Sequence, residues 1–141
     1  MSHSPIEGHI EGACLCGAVR YRITGELAGF QYCHCSRCRK FTGSAHAANL
    51  FTEPKNLAWL SGAEGVGHYV LVAEPPFRTS FCKTCGASLP CMSSSGKFWV
   101  VPAGTLEDDP GLAPSQSIFW DSRAPWYREV SSLPRHAEWP T

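Results

Sequence analysis

The chain has 141 residues, 43% of them apolar and 17% charged, with 12 basic and 12 acidic side chains and no formal net charge. That composition suits a single globular domain over residues 1–141, with its core at about 10–137, and excludes a disordered chain. The charge balance gives no overall pull toward nucleic acid, and no apolar run approaches the roughly 18 residues of a membrane span. The start, Met1-Ser2-His3-Ser4-Pro5, lacks the basic and apolar segments of an export signal, so a cytoplasmic protein is expected.

From Gly17 the residues alternate. Val19, Tyr21 and Ile23 share one face and Arg20, Arg22 and Thr24 the other, which predicts a half-buried strand stopped by Gly25 and Gly29. Phe30-Gln31-Tyr32 reads as a short strand leading into a cysteine-rich stretch. Ser36 is the expected N-cap of a short helix that stops at Gly43, which puts Cys38 in its first turn. There the helix dipole and Arg37, Arg39 and Lys40 would favour the Cys38 thiolate. Strands are expected at 45–51, 57–60, 67–72, 77–81, 97–101 and 117–120, separated by turns such as Glu53-Pro54, Ser61-Gly62 and Asp108-Asp109-Pro110-Gly111. Residues 122–141 read as an irregular, Pro- and Trp-rich surface segment. No helix-period segment of ten residues occurs, and Gly and Pro are frequent. The class is mainly β, with one or two short helices.

Eight cysteines, without an export signal, ask for an explanation other than disulfides. Seven lie in tight groups: Cys14 and Cys16, then Cys33, Cys35 and Cys38, then Cys82 and Cys85. Cysteines so close in sequence make poor disulfide partners for one another and good chelating claws. Zinc is the expected metal, because it favours thiolates in a tetrahedron. The two paired claws, each followed by a glycine (Gly17 and Gly86), would complete a four-thiolate structural site joining distant parts of the chain. Cys33, Cys35 and Cys38 remain as a three-ligand set with an exchangeable fourth position, the arrangement of a catalytic zinc. Closure of that set by Cys91, His34, His46 or His68 stays open, although Cys91 reads as a core residue. His34, between two of these cysteines, is expected to point away from the metal, as an exposed or capping side chain or in a catalytic role. A zinc with three thiolates carries a formal charge of −1 and suits a substrate thiol, so the fitting chemistry is thiol addition to a small aldehyde or its reversal. No Ser-His-Asp arrangement, H-E-x-x-H motif or Gly-rich phosphate loop points elsewhere. A non-catalytic, zinc-stabilised binding module is the alternative.

Three segments together carry a family resemblance. They are Gly12-Ala13-Cys14-Leu15-Cys16-Gly17, then Cys33-His34-Cys35-Ser36-Arg37-Cys38-Arg39-Lys40 with Thr42-Gly43-Ser44-Ala45, then Phe81-Cys82-Lys83-Thr84-Cys85-Gly86. They resemble the glutathione-dependent formaldehyde-activating family, as do Pro102-Ala103-Gly104-Thr105-Leu106 and Ser122-Arg123-Ala124-Pro125-Trp126. The domain of centromere protein V is of the same kind. The resemblance implies a β-tent of antiparallel sheets and two zinc ions per chain. It makes Cys14, Cys16, Cys82 and Cys85 structural ligands and Cys33, Cys35 and Cys38 catalytic ones. The implied activity is that of a carbon–sulfur lyase condensing formaldehyde with glutathione to S-hydroxymethylglutathione. Charge and proximity then suggest Arg37, Arg39 and Lys40 as partners of the thiol's carboxylates. Where many relatives have a histidine before the Ile-Phe strand, this chain has Ser117.

Overall fold

A computed structural model describes residues 3–140. Its strands, in chain order, are β1 (His3–Pro5), β2 (Ile10–Ala13), β3 (Arg20–Ile23), β4 (Glu26–Cys33), β5 (Ala47–Thr52), β6 (Leu57–Ser61), β7 (Val66–Leu71), β8 (Phe77–Cys82), β9 (Cys91–Met92), β10 (Trp99–Pro102) and β11 (Gln116–Ile118). The α-helix, α1 (Ser36–Thr42), follows β4. These form a six-stranded sheet in the order β1-β4-β5-β10-β9 with β11 on β4, a three-stranded sheet β2-β3-β6, and the hairpin β7-β8. Every pairing is antiparallel except β11 with β4. The expected mainly β, β-tent class of antiparallel sheets with one short helix is what forms.

The core lies between the two larger sheets. Ile10, Tyr21, Ile23 and Leu57 come from the three-stranded sheet and Leu27, Leu50 and Val101 from the six-stranded one. The alternation of Val19, Tyr21 and Ile23 does what period 2 requires, since all three are fully buried. Each such side chain contributes about 1.5–3 kcal/mol through removal of apolar surface from water. A smaller cluster, Cys14, Val19, Val66, Cys82 and Leu89, sits where β2 and the β7-β8 hairpin meet.

Several boundaries differ from the sequence expectation. Gly29, expected to end a strand, sits inside β4 at a register shift between Ala28 and Phe30, with φ at 70°. It makes a bulge, which bends the strand without ending it. β4 therefore carries the chain from Glu26 into the cysteine-rich stretch as one rigid element. The strand expected at 97–101 begins only at Trp99, because a Ser93–Gly96 turn takes up the preceding residues. The strand expected at 117–120 ends at Ile118: Phe119 adopts φ 53° and a 3-10 turn begins at Trp120. Strands β1, β2 and β9 have no alternation long enough to announce them.

Two glycines explain how the hairpins close tightly. Gly12 faces Tyr21 and Gly67 faces Phe81 across their pairs. In each case the aromatic ring lies across the glycine, and a Cβ at Gly67 would sit 2.6 Å from the Phe81 ring. Gly67→Ala should lower stability by about 1–3 kcal/mol through forced displacement of that ring, readable as a lower urea midpoint at unchanged m-value.

Candidate metal centres

Two turns of the same design deliver the paired claws. After β2, the Gly17 N–H donates to the Cys14 carbonyl (3.1 Å) with φ at 80°; after β8, the Gly86 N–H donates to the Cys82 carbonyl (2.8 Å) with φ at 78°. Positive φ is a conformation that glycine adopts without steric cost. Within each turn a backbone N–H also points at the first sulfur: Val19 N to Cys14 Sγ at 3.3 Å, Thr84 N to Cys82 Sγ at 3.4 Å. The four sulfurs of Cys14, Cys16, Cys82 and Cys85 lie within 4.8 Å of one another, although the claws are some 66 residues apart. Cys14 to Cys16 is 3.6 Å and Cys16 to Cys82 is 3.9 Å. Four sulfurs held about 2.3 Å from one zinc in a tetrahedron would be about 3.8 Å apart. The donor set and its spacing thus fit a tetrahedral metal.

The second cluster is local. Cys33 ends β4, and Cys35 and Cys38 frame the start of α1, with all three sulfurs within 4.8 Å of one another. The helix cap is Cys35 and not Ser36: the Cys38 N–H donates to Cys35 Sγ at 3.3 Å, and Ser36 becomes the first helical residue. Sulfur here does the work usually given to a Ser or Asp oxygen. The helix ends as expected at Gly43, with φ at 64° and its N–H on the Arg39 carbonyl. Around the thiols pack Ala47, Phe77 and Ile118.

Between Cys33 and Cys38, Cys33 is the more acidic. Its sulfur accepts from the Cys38 thiol and is pushed down to about 6, while the same bond and burial push Cys38 up. The expectation that Cys38 would be the favoured thiolate is corrected by that hydrogen bond. In the four-thiol cluster the Ala87 and Cys16 N–H groups hold Cys85 down, at about 6. The Ala18 N–H pulls Cys16 down, but the surrounding sulfurs and desolvation carry it up to about 11. Burial raises Cys14, and the Val19 N–H and neighbouring thiols outweigh it.

None of the other candidate ligands joins either cluster among the described residues. Cys91 is buried and its thiol points toward the Met92 carbonyl at 3.6 Å. His68 bonds Ser80 on the β7-β8 hairpin at 2.9 Å. His34, expected at the surface or as a cap, is fully buried, and neither ring nitrogen has a hydrogen-bond partner. Its ring lies 4.9 Å from His46 and 5.1 Å from both Trp120 and Tyr127. Burial, with His46 and Arg123 nearby, lowers its pKa, so it is neutral at neutral pH. The C-terminal segment is therefore more than a loose surface strip, because Trp120 and Tyr127 cover His34 between Cys33 and Cys35. Nothing in the periodicity signals this; the Ala-Pro-Trp resemblance alone singles out the neighbourhood. Ser117 is exposed on β11, opposite Tyr32, and the next residue, Ile118, lies opposite Cys33.

The three basic residues part company. The Arg37 guanidinium donates to the Pro75 carbonyl and ties α1 to the loop before β8. Arg39 is half-buried, with its Nε unpartnered. Lys40 is exposed, and neither Arg39 nor Lys40 pairs with a carboxylate among the described residues. On the other side of α1 a cleft of about 250 Å³ opens, reached by Cys38, Phe41, Ala48, Phe77, Cys91 and Val100. Sequence reasoning gave no sign of it, since its walls come from α1, β5, β8, β9 and β10.

A mainly β protein with two cysteine clusters able to hold metal ions is thus defined. The chain belongs to the glutathione-dependent formaldehyde-activating enzyme family, whose model matches residues 9–122. A protein of Halomonas elongata described as a "Putative glutathione-dependent formaldehyde-activating enzyme" is 35% identical over 85 residues, 57% of this chain and 54% of that protein. The chain thus spans about half the length of this curated relative. A crystal structure of a Rhodobacter sphaeroides protein superposes with a TM-score of 0.59 at 26% identity, over 76% of this chain and 98% of the other. Among the described residues no helix is long and apolar enough to cross a membrane.

Two outcomes follow for metal-loaded protein. Cys82→Ala should cost more than about 4 kcal/mol or abolish cooperative thermal unfolding, because it opens the junction between β2 and the β7-β8 hairpin. Metal-bound thiolates carry no protons, so each proton taken up as pH falls favours release. Zinc should therefore be retained at neutral pH and lost as pH falls, more steeply from four thiols than from three. A chromophoric zinc chelator followed from pH 8 to pH 5 checks this.

Proposed function

We propose that the protein is a zinc-dependent, carbon–sulfur lyase-like enzyme. It adds a thiol such as glutathione to a small aldehyde such as formaldehyde, giving S-hydroxymethylglutathione, or cleaves the adduct. The observation that carries this reading is a cluster of three thiols in place of four, one of which lines an open cleft. Family membership supports it. On this reading Cys14, Cys16, Cys82 and Cys85 hold one structural zinc, and Cys33, Cys35 and Cys38 hold one catalytic zinc. When bound there, zinc supplies a position that keeps a substrate sulfur as thiolate at neutral pH.

The chain's own residues orient and shield. β4 and α1 fix the three sulfurs, and the Cys38 N–H bond to Cys35 Sγ holds the turn between them. Arg37, spent on the Pro75 carbonyl, steadies the wall of the cleft. Arg39 and Lys40 are the cations left to meet a carboxylate of the thiol. Neutral, buried His34 with Trp120 and Tyr127 closes the face beside the ligands against water.

Native mass spectrometry of anaerobically purified, zinc-titrated protein tests the reading. Wild type should carry two zinc ions and one glutathione adduct. Cys38→Ala should stay folded, lose the adduct and lose glutathione-dependent formaldehyde consumption by at least about a hundredfold. One zinc at saturation, or two with no adduct, would instead indicate a binding module.

A further inference from the structure

The cleft beside Cys38 is far larger than formaldehyde needs. Its volume of about 250 Å³ would take roughly eight waters at ~30 Å³ each, whereas formaldehyde has two heavy atoms. The wall nearest the cluster is apolar: Ala47 and Phe77 pack on the thiols, and Ala48 follows Ala47 on β5. Beyond them stand Phe41, Met92 and Val100. Among the described lining residues Arg78, exposed on β8, carries the one charge, and no carboxylate lines the cleft. Neutral polar groups line it too, Thr42, Asn49, Thr79, Ser80, Ser88 and Ser93 among them, but the stretch from Ala48 to Val100 suits a hydrocarbon chain and not the charged ends of a peptide thiol.

We propose that the cleft binds the tail of the electrophile, making the protein selective for aldehydes with an apolar chain of about four to seven carbons. This rests on the reading above and names its substrate class. In the reaction the thiol sulfur forms a bond to the carbonyl carbon. The carbonyl π pair moves onto oxygen, and the proton lost by the thiol ends on that oxygen, giving a thiohemiacetal. No oxidant or reductant is consumed. The carbonyl end lies toward Cys38, and the chain runs along Ala48 toward Val100.

Two measurements test this, one of them independent of turnover. Unreactive straight-chain alcohols from propan-1-ol to heptan-1-ol, titrated into zinc-loaded protein, should shift the amide resonances of Ala48, Phe77 and Val100. The dissociation constant should fall about fourfold per methylene, the equivalent of ~0.8 kcal/mol. With glutathione, kcat/KM for the matching aldehydes, each divided by its uncatalysed addition rate, should rise by a similar factor per carbon and then level off. Ala48→Leu, which narrows the cleft, should make both trends level off two or three carbons earlier. If formaldehyde is turned over but alcohols leave those resonances unmoved, or the aldehyde series is flat or falling, the tail assignment is overturned and the lyase reading stands. If no aldehyde from one to seven carbons is turned over, the lyase reading fails and takes this inference with it.

Discussion

Four cysteine sulfurs converging from two distant turns set the terms for the rest of the fold. Left as thiols they would be poor packing, and as thiolates they would repel one another at 3.6–3.9 Å. A soft cation turns the same geometry into the strongest local attraction in the molecule. The apolar cluster around it is small, Val19, Val66 and Leu89 beside the cysteines with Trp59 and Ala87 packed against them, so hydrophobic burial alone gives little reason for the β7-β8 hairpin to sit against β2. Once that junction is closed, β8 is fixed, and with it Phe77 and Thr79 in the wall of the cleft.

The second cluster depends on local rigidity instead. β4 runs unbroken through its bulge to Cys33, and α1 begins three residues later, at Ser36, with a sulfur as its cap. Three ligands within six positions therefore need only a strand end and one helical turn to hold them. What surrounds them comes from elsewhere: the C-terminal segment covers one side with Trp120 and Tyr127, and β5, β8 and β10 shape the cleft on the other. A buried, covered side and an open side next to the same three sulfurs are what distinguish this cluster from the four-sulfur junction.

The sequence made the cysteine division and the mainly β class legible because both rest on short-range pattern. Alternation at Val19, Tyr21 and Ile23 shows a buried face directly, and C-x-C with C-x-x-C spacing points directly to clusters able to hold a metal ion. What stayed hidden depends on residues that meet only in three dimensions. The cleft draws on five separate elements. His34 is buried because Trp120 and Tyr127, nearly a hundred residues away, fold over it. Gly29 was misread because a bulge and a strand end call for the same residue. The hydrogen bond from Arg37 to the Pro75 carbonyl stayed hidden because its acceptor is a backbone group that no charge pattern can reveal.

The sequence separation of the two clusters has a consequence for how the chain is born. During synthesis the set of Cys33, Cys35 and Cys38 is complete as soon as residue 38 has left the ribosome. Its partner junction must wait for Cys85, about 45 residues later, a delay on the order of seconds at ~5–20 residues per second. Throughout that interval the complete cluster on offer to a scavenged ion is the one with fewer sulfurs.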